Sequence, residues 1–172
     1  MIRSPAEGLA AMGPQSDEPI QISLEDVELE GMLDVPEGAA GLVVFAHGSG
    51  SSRKSPRNNF VAEVIRDRNL GTLLFDLLTE EEDQIYENRF DIPLLTNRLV
   101  GVTEWLHDRD DTRQLHLGYF GSSTGAASAL RAAARLPDDI HAVVSRGGRV
   151  DLASEVLDQV RAPTRFIVGG AD

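Results

Sequence analysis

Leu117-Gly118-Tyr119-Phe120-Gly121-Ser122-Ser123-Thr124-Gly125-Ala126-Ala127 is the stretch on which the reading of this chain turns. A short apolar run enters it, and a segment rich in Ala and Leu with helical spacing leaves it and continues to Leu136. Between the two, Gly121-Ser122-Ser123-Thr124-Gly125 matches G-x-S-x-G, a pattern whose value comes from lying between a buried strand and a helix. The spacing has a steric origin. A chain that reverses this tightly at a serine needs very small neighbours two residues away on either side. The reversal holds the Ser123 hydroxyl clear of the sheet at a helix N-terminus, where the helix dipole favours developing negative charge. Ser123 is therefore the candidate nucleophile. The competing reading is a small-residue turn that merely packs well. Phosphate loops fit worse, because Gly118 and Gly121 do not make G-x-G-x-x-G and no G-x-x-x-x-G-K-[ST] occurs.

Upstream, Leu42-Val43-Val44-Phe45-Ala46 is a continuous apolar run of the kind found in strands covered on both faces. It leads into His47-Gly48-Ser49-Gly50-Ser51. Acyl transfer at a serine needs two backbone N–H groups aimed at the oxyanion. The residue after the nucleophile, Thr124, supplies one, and a loop of small residues after an earlier strand supplies the other, with Ser49 chosen over Gly50. A plain Gly-Ser turn is the bland reading of this loop. An anion-binding loop is a rival, because Arg53, Lys54 and Arg57 follow closely. His47 sits at a strand end and is read as structural.

Further buried runs are expected at Thr72–Phe75, Leu115–Phe120, Ala142–Val144 and Arg165–Val168. Helical spacing lies between them, carried by Phe60, Val61, Val64 and Ile65, by Ile92 to Leu106, by Thr124 to Leu136 and by Leu152 to Val160 before Pro163. Gln21–Leu24 and Val27–Leu33 alternate apolar and polar residues, as half-buried antiparallel strands do. Strands alternating with helices give an α/β fold with a mostly parallel sheet and helices on both faces. The segment between Ala142 and Leu152 is too short for a lid domain. Glu80-Glu81-Glu82-Asp83 reads as a solvated loop or helix start and Asp108-Arg109-Asp110-Asp111 as a helix end. Arg146 and Arg149 follow a strand end, where they could meet a substrate anion or form structural salt bridges.

Composition narrows the classes. The chain has 172 residues, 41% of them hydrophobic, enough for one domain with a core. Residues 1–19 read as an irregular leader without the apolar core of a signal peptide, and residues 20–172 as the domain. No cysteine is present, which removes thiolate metal sites and cysteine nucleophiles. Asp and Glu outnumber Lys and Arg 28 to 16, for a net charge of −12, so nucleic acid and anionic membranes are poor partners. No metal or cofactor is expected, the partner is a small acyl substrate, and the default location is cytoplasmic.

The order strand, His47-Gly48-Ser49-Gly50, helix, strand, helix, strand, Gly121-x-Ser123-x-Gly125, helix, strand resembles the α/β-hydrolase superfamily, and within it the small capless members of the dienelactone hydrolase-like group. The resemblance covers about Ile20 to Asp172. It extends to Ser49-x-x-x-Arg53-x-Ser55-Pro56-Arg57-Asn58, Leu74-Phe75-Asp76-Leu77-Leu78 and Ser145-Arg146-Gly147-Gly148-Arg149-x-Asp151-Leu152-Ala153. Some such relatives are joined to a phosphoribosyltransferase domain, to which nothing in this sequence corresponds. True dienelactone hydrolases carry cysteine at the turn, so lactone specificity does not transfer. The resemblance implies a triad in the order Ser, acid, His. It places the acid at Asp172, in Gly169-Gly170-Ala171-Asp172, with Asp151 as the alternative. A histidine would come next, and none follows, since His47, His107, His116 and His141 all lie upstream of Asp172. The expectation is a hydrolase whose last strand and helix, roughly 20 to 30 residues, are missing. Its activity would be impaired; the alternative is a non-catalytic binding subunit or a fragment completed by a partner chain.

Overall fold

The structure, a computed structural model, describes residues 19–171. The expected leader, Pro19 apart, and Asp172 lie outside the described residues. Seven strands form one sheet in the order β1-β2-β4-β3-β5-β6-β7. The period-two segments become β1 (Ile20–Ser23) and β2 (Glu28–Asp34), paired antiparallel, and β2 runs antiparallel to β4 (Gly71–Phe75). β3 (Gly41–Ala46) lies between β4 and β5 (His116–Ser122), parallel to both, and β6 (Ile140–Arg146) and β7 (Thr164–Ile167) continue the parallel run. The apolar runs β3 and β4 sit in the middle because both their faces are covered, whereas the alternating β1 and β2 sit at the rim.

Helices cover both faces, as expected. α3 (Ile92–Asp108), α4 (Thr124–Arg135) and a 3-10 segment (Val150–Gln159) enclose the larger cluster, with Leu73, Phe75, Leu99, Leu117, Tyr119 and Leu130 among its buried members. The Tyr119 hydroxyl lies 2.6 Å from Thr103 Oγ1, which ties β5 to α3. α1 (Pro56–Arg66) covers a smaller cluster of Phe45, Ala62, Leu74 and Phe120 on the opposite face. Each long helix except α4 begins on a side-chain cap: Ser55 Oγ accepts from Asn58 N before α1, and Asp91 Oδ1 accepts from Leu94 N before α3. No helix among the described residues is long and apolar enough to cross a membrane, and β6 is joined to β7 by only a short segment without a lid.

The packing adds detail to these elements and corrects the buried run expected at Ala142. The apolar residues of α1 do not form one buried face. Asn58 and Ala62 are buried and Val61 and Ile65 partly so, while Phe60 is 67% and Val64 46% exposed. Consecutive helical residues are about 100° apart, so Phe60 and Val64 turn off the sheet although they share the spacing of Val61 and Ile65. The run Arg165–Val168 supplies β7, which pairs only with β6 among the described residues and leaves Phe166 and Ile167 open. Ala142 in β6 is exposed as well. The acidic run opens a short helix, α2 (Glu80–Asp83), as one of its two readings had it, but half of it is engaged. Glu82 completes a capping box with Thr79 and receives both Nη atoms of the buried Arg98 at 2.8 and 2.6 Å. That forked bond from Arg98 holds its carboxyl below the usual range.

Candidate active site

The site lies at the C-terminal edge of the central strands, where β3 and β5 end side by side. Ser123 takes φ 52° and ψ −123° between β5 and α4, a left-side conformation that a residue with a Cβ adopts only under constraint. The constraint is visible in its neighbours. A Cβ at Gly121 would stand 2.5 Å from Ala126 Cα, and one at Gly125 would stand 2.1 Å from Ala46 O and 2.5 Å from His47 O. Both glycines of the motif are thus required by backbone lying against them. The same packing brings the two loops together: a Cβ at Gly48 would stand 3.1 Å from Ser123 Cβ. Behind the turn, Gly148 leaves no room for a side chain beside Ser145 Oγ and Ala126 Cβ.

The polar groups of the turn are divided. Its backbone is held by Ser123 N donating to Arg146 O at 3.4 Å and by Arg149 N and Ala126 N donating to Ser123 O at 3.1 Å each. The Ser123 side chain makes no capping bond to α4, so the hydroxyl is uncommitted and stands at the open N-terminus of a 12-residue helix. Thr124 is buried, and its Oγ1 has no hydrogen-bond partner among the described residues. Thr124 lines one narrow recess with Gly48, Ser49 and Gly50, so the two expected oxyanion loops face a common space.

His47 is fully employed. Its Nε2 accepts from Leu77 N at 3.0 Å, and its Nδ1 lies 2.8 Å from Gly48 O. A backbone N–H can only donate and a carbonyl can only accept, so these partners fix the neutral tautomer with the proton on Nδ1. Burial pushes its pKa below the ordinary 6.5. The structural role given to His47 follows from these two bonds. His116 and His141 pair at 3.2 Å near the opposite, N-terminal ends of β5 and β6, and His107 lies 3.5 Å from Asp139. None of the three belongs to the Ser123 turn.

The remaining candidates separate. Arg149 and Asp151 bind each other in a forked pair at 2.9 and 2.8 Å on the surface, which holds the Asp151 carboxyl low. Arg146 instead donates to Asn58 Oδ1 at 2.9 Å and to Ser122 Oγ at 3.0 Å, beside Ser123. Of the rival anion loop, Arg53 is taken by Glu30 at 2.7 Å and by Asp76, whose other oxygen accepts from Arg53 N. Asn58 and Ser122 were not singled out from the sequence as site residues. A buried asparagine on a helix face is the signal that could have found the first.

No family model matches the chain. The chain is 55% identical, over 163 residues, to two Mycobacterium tuberculosis proteins, "Putative phosphoribosyl transferase Rv0571c" and its counterpart in strain CDC 1551. The match covers 95% of this chain and 37% of theirs, so the chain spans little more than a third of the curated relatives it matches. Among solved structures, a dienelactone hydrolase from Anabaena variabilis superposes with a TM-score of 0.87 at 55% identity, covering 90% of this chain and 74% of that one. An alpha-beta serine hydrolase homologue from Coxiella burnetii matches with a TM-score of 0.69 at 17% identity over 89% of this chain and 86% of its own, which bears on the fold alone.

Proposed function

From the premise that this chain belongs to the dienelactone hydrolase-like family of α/β-hydrolases, we propose that it is a serine hydrolase cleaving a small ester or similar acyl substrate through Ser123. The observation that carries the reading is the strained, uncommitted serine: φ 52° at a residue whose hydroxyl caps nothing. Strain of this kind persists only where the surrounding structure over-determines it, and it clusters at sites of chemistry. Ser123 Oγ attacks the acyl carbonyl and its proton passes to a base. The tetrahedral oxyanion takes hydrogen bonds from the Thr124 and Ser49 N–H groups, each worth on the order of 3 kcal/mol. Collapse expels the alcohol with the proton from the base, and water then releases the acid from the acyl-enzyme.

The four histidines of the sequence do not supply that base in the described structure, because His47 is spent on backbone partners and the others lie away from the turn. Asp172, the first choice for the orienting acid, is outside the described residues, and Asp151 is paired with Arg149. The second reading is a binding protein with a hydrolase fold. The phosphoribosyl transferase name belongs to proteins of which this chain matches 37%, and we attribute it to their remaining length.

The two readings part in one experiment. The protein is treated with a fluorophosphonate probe with and without added imidazole, and the adduct is located by mass spectrometry. The hydrolase reading expects slow labelling at Ser123, faster with imidazole as a diffusible base and absent in Ser123→Ala. An unlabelled Ser123 in the presence of imidazole would leave the binding reading standing.

A further inference from the structure

Arg57 and Arg146 line one open cavity of about 510 Å³ beside the elbow, with Gly48, Ser55, Asn58 and Ser122. Arg146 is held in place by neutral partners only: Asn58 Oδ1, Ser122 Oγ and the ring of Phe120, whose centroid lies 5.3 Å from its guanidinium carbon. Asn58 is itself 3% exposed, so the bond that orients the guanidinium comes from a fixed, buried side chain. Neither Arg57 nor Arg146 pairs with a carboxylate among the described residues, whereas Arg53, Arg66, Arg89, Arg98 and Arg149 all do. The chain is not short of carboxylates, with 28 against 16 basic residues. Two positive charges left facing one cavity repel each other, and partial burial followed by the neighbouring Arg57 makes the charge on Arg146 harder to hold. An anion in the cavity relieves both.

We infer that this cavity is an anion subsite and that it receives a phosphate-type dianion carried by the substrate of Ser123. Charge decides between anions: two guanidinium groups balance a dianion, whereas a single carboxylate leaves one unmatched. Position decides its use, because Arg146 donates to Ser122, the residue before the nucleophile. Gly48 lines the same cavity and packs against Ser123, so the anion sits beside that residue. The substrate assignment rests on the serine hydrolase reading; the anion site does not.

The test is calorimetric titration of the full chain with inorganic phosphate and, separately, acetate at low ionic strength. Phosphate is expected to bind the wild type and Ser123→Ala alike, and to bind about tenfold more weakly when a charged partner is removed in Arg57→Gln or Arg146→Gln. Arg146→Gln also loses the bonds to Asn58 and Ser122, so the exposed Arg57→Gln carries the decision. Arg113→Gln, paired with Asp110 on the surface, controls for net charge and should bind as the wild type does. Phosphate binding unchanged by Arg57→Gln, or no binding at millimolar phosphate, overturns the subsite. Acetate binding as tightly as phosphate overturns the dianion. Phosphate should also slow fluorophosphonate labelling of Ser123 with imidazole present; binding without slowing marks a free-anion site and overturns the substrate assignment. If Ser123 never labels while phosphate binding depends on Arg57, the hydrolase reading fails and the anion site stands.

Discussion

The loop after β3 and the turn after β5 lie against each other, Gly48 to Ser123, yet they treat their polar groups in opposite ways. In the first loop the His47 and Arg53 side chains are tied down. His47 spends both ring nitrogens on backbone, and Arg53 is shared between Glu30 and Asp76. In the second, the backbone is held but the side chains that matter are left open: the Ser123 hydroxyl caps nothing and Thr124 Oγ1 has no partner among the described residues. The contrast separates a loop whose larger side chains are bound from a turn whose side chains are left open. A satisfied polar group stabilises, and a group kept unsatisfied or strained costs stability that its surroundings must offset.

The sharpest way to break this comparison is to fill the contact between the two. Gly125→Ala would drive a Cβ into Ala46 O and His47 O, backbone that cannot retreat. A loss of about 3 kcal/mol or more is expected in urea unfolding, at the upper end of overpacking effects. His47→Gln comes next. It leaves Leu77 N–H short of its acceptor and should cost about 1–3 kcal/mol. Ser123→Gly should move the other way. Glycine accepts φ 52°, so the variant should gain about 1 kcal/mol while losing all labelling at this position.

A smaller effect concerns pH. Above the ordinary histidine value of 6.5, His47 is neutral both folded and unfolded and adds no pH dependence. Below it the unfolded chain takes up a proton that the folded chain refuses, so stability falls until the depressed folded pKa is reached. The wild type should therefore lose more stability between neutral pH and pH 5 than His47→Gln, measured by urea midpoints. Equal slopes would show that His47 is not held neutral. Last, Arg149→Ala breaks an exposed surface pair with Asp151, and its melting temperature should match the wild type.

Those differences also mark what the sequence could express. The elbow was legible because its cause is local: Gly121 and Gly125 are demanded by atoms within a few residues or one strand away, and small-Ser-small spacing carries that demand into the sequence. The alternation of strands and helices that makes an α/β sheet was legible for a similar reason, since burial on both faces writes continuous apolar runs. The exposure of Phe60 was not, because an apolar residue looks the same in sequence whether or not a neighbour covers it. Arg146 and Arg149 were indistinguishable for a further reason. They lie three residues apart after the same strand, and only the fold shows that one meets Asp151 and the other Asn58, which lies 88 positions upstream.

The twist at Ser123 has a consequence for how the protein is assayed. Local contacts are only part of what enforces it: the turn is also gripped by Arg146 at the end of β6, by Arg149 just after it, and by the β3 loop from the far side. Such contacts between distant parts of a parallel sheet are among the last to form when a chain folds. The twisted backbone at Ser123 should then exist only in molecules whose central strands have already assembled. The rate at which a small electrophile marks Ser123 thus becomes a clock for folding, reading the assembly of the sheet through a single atom.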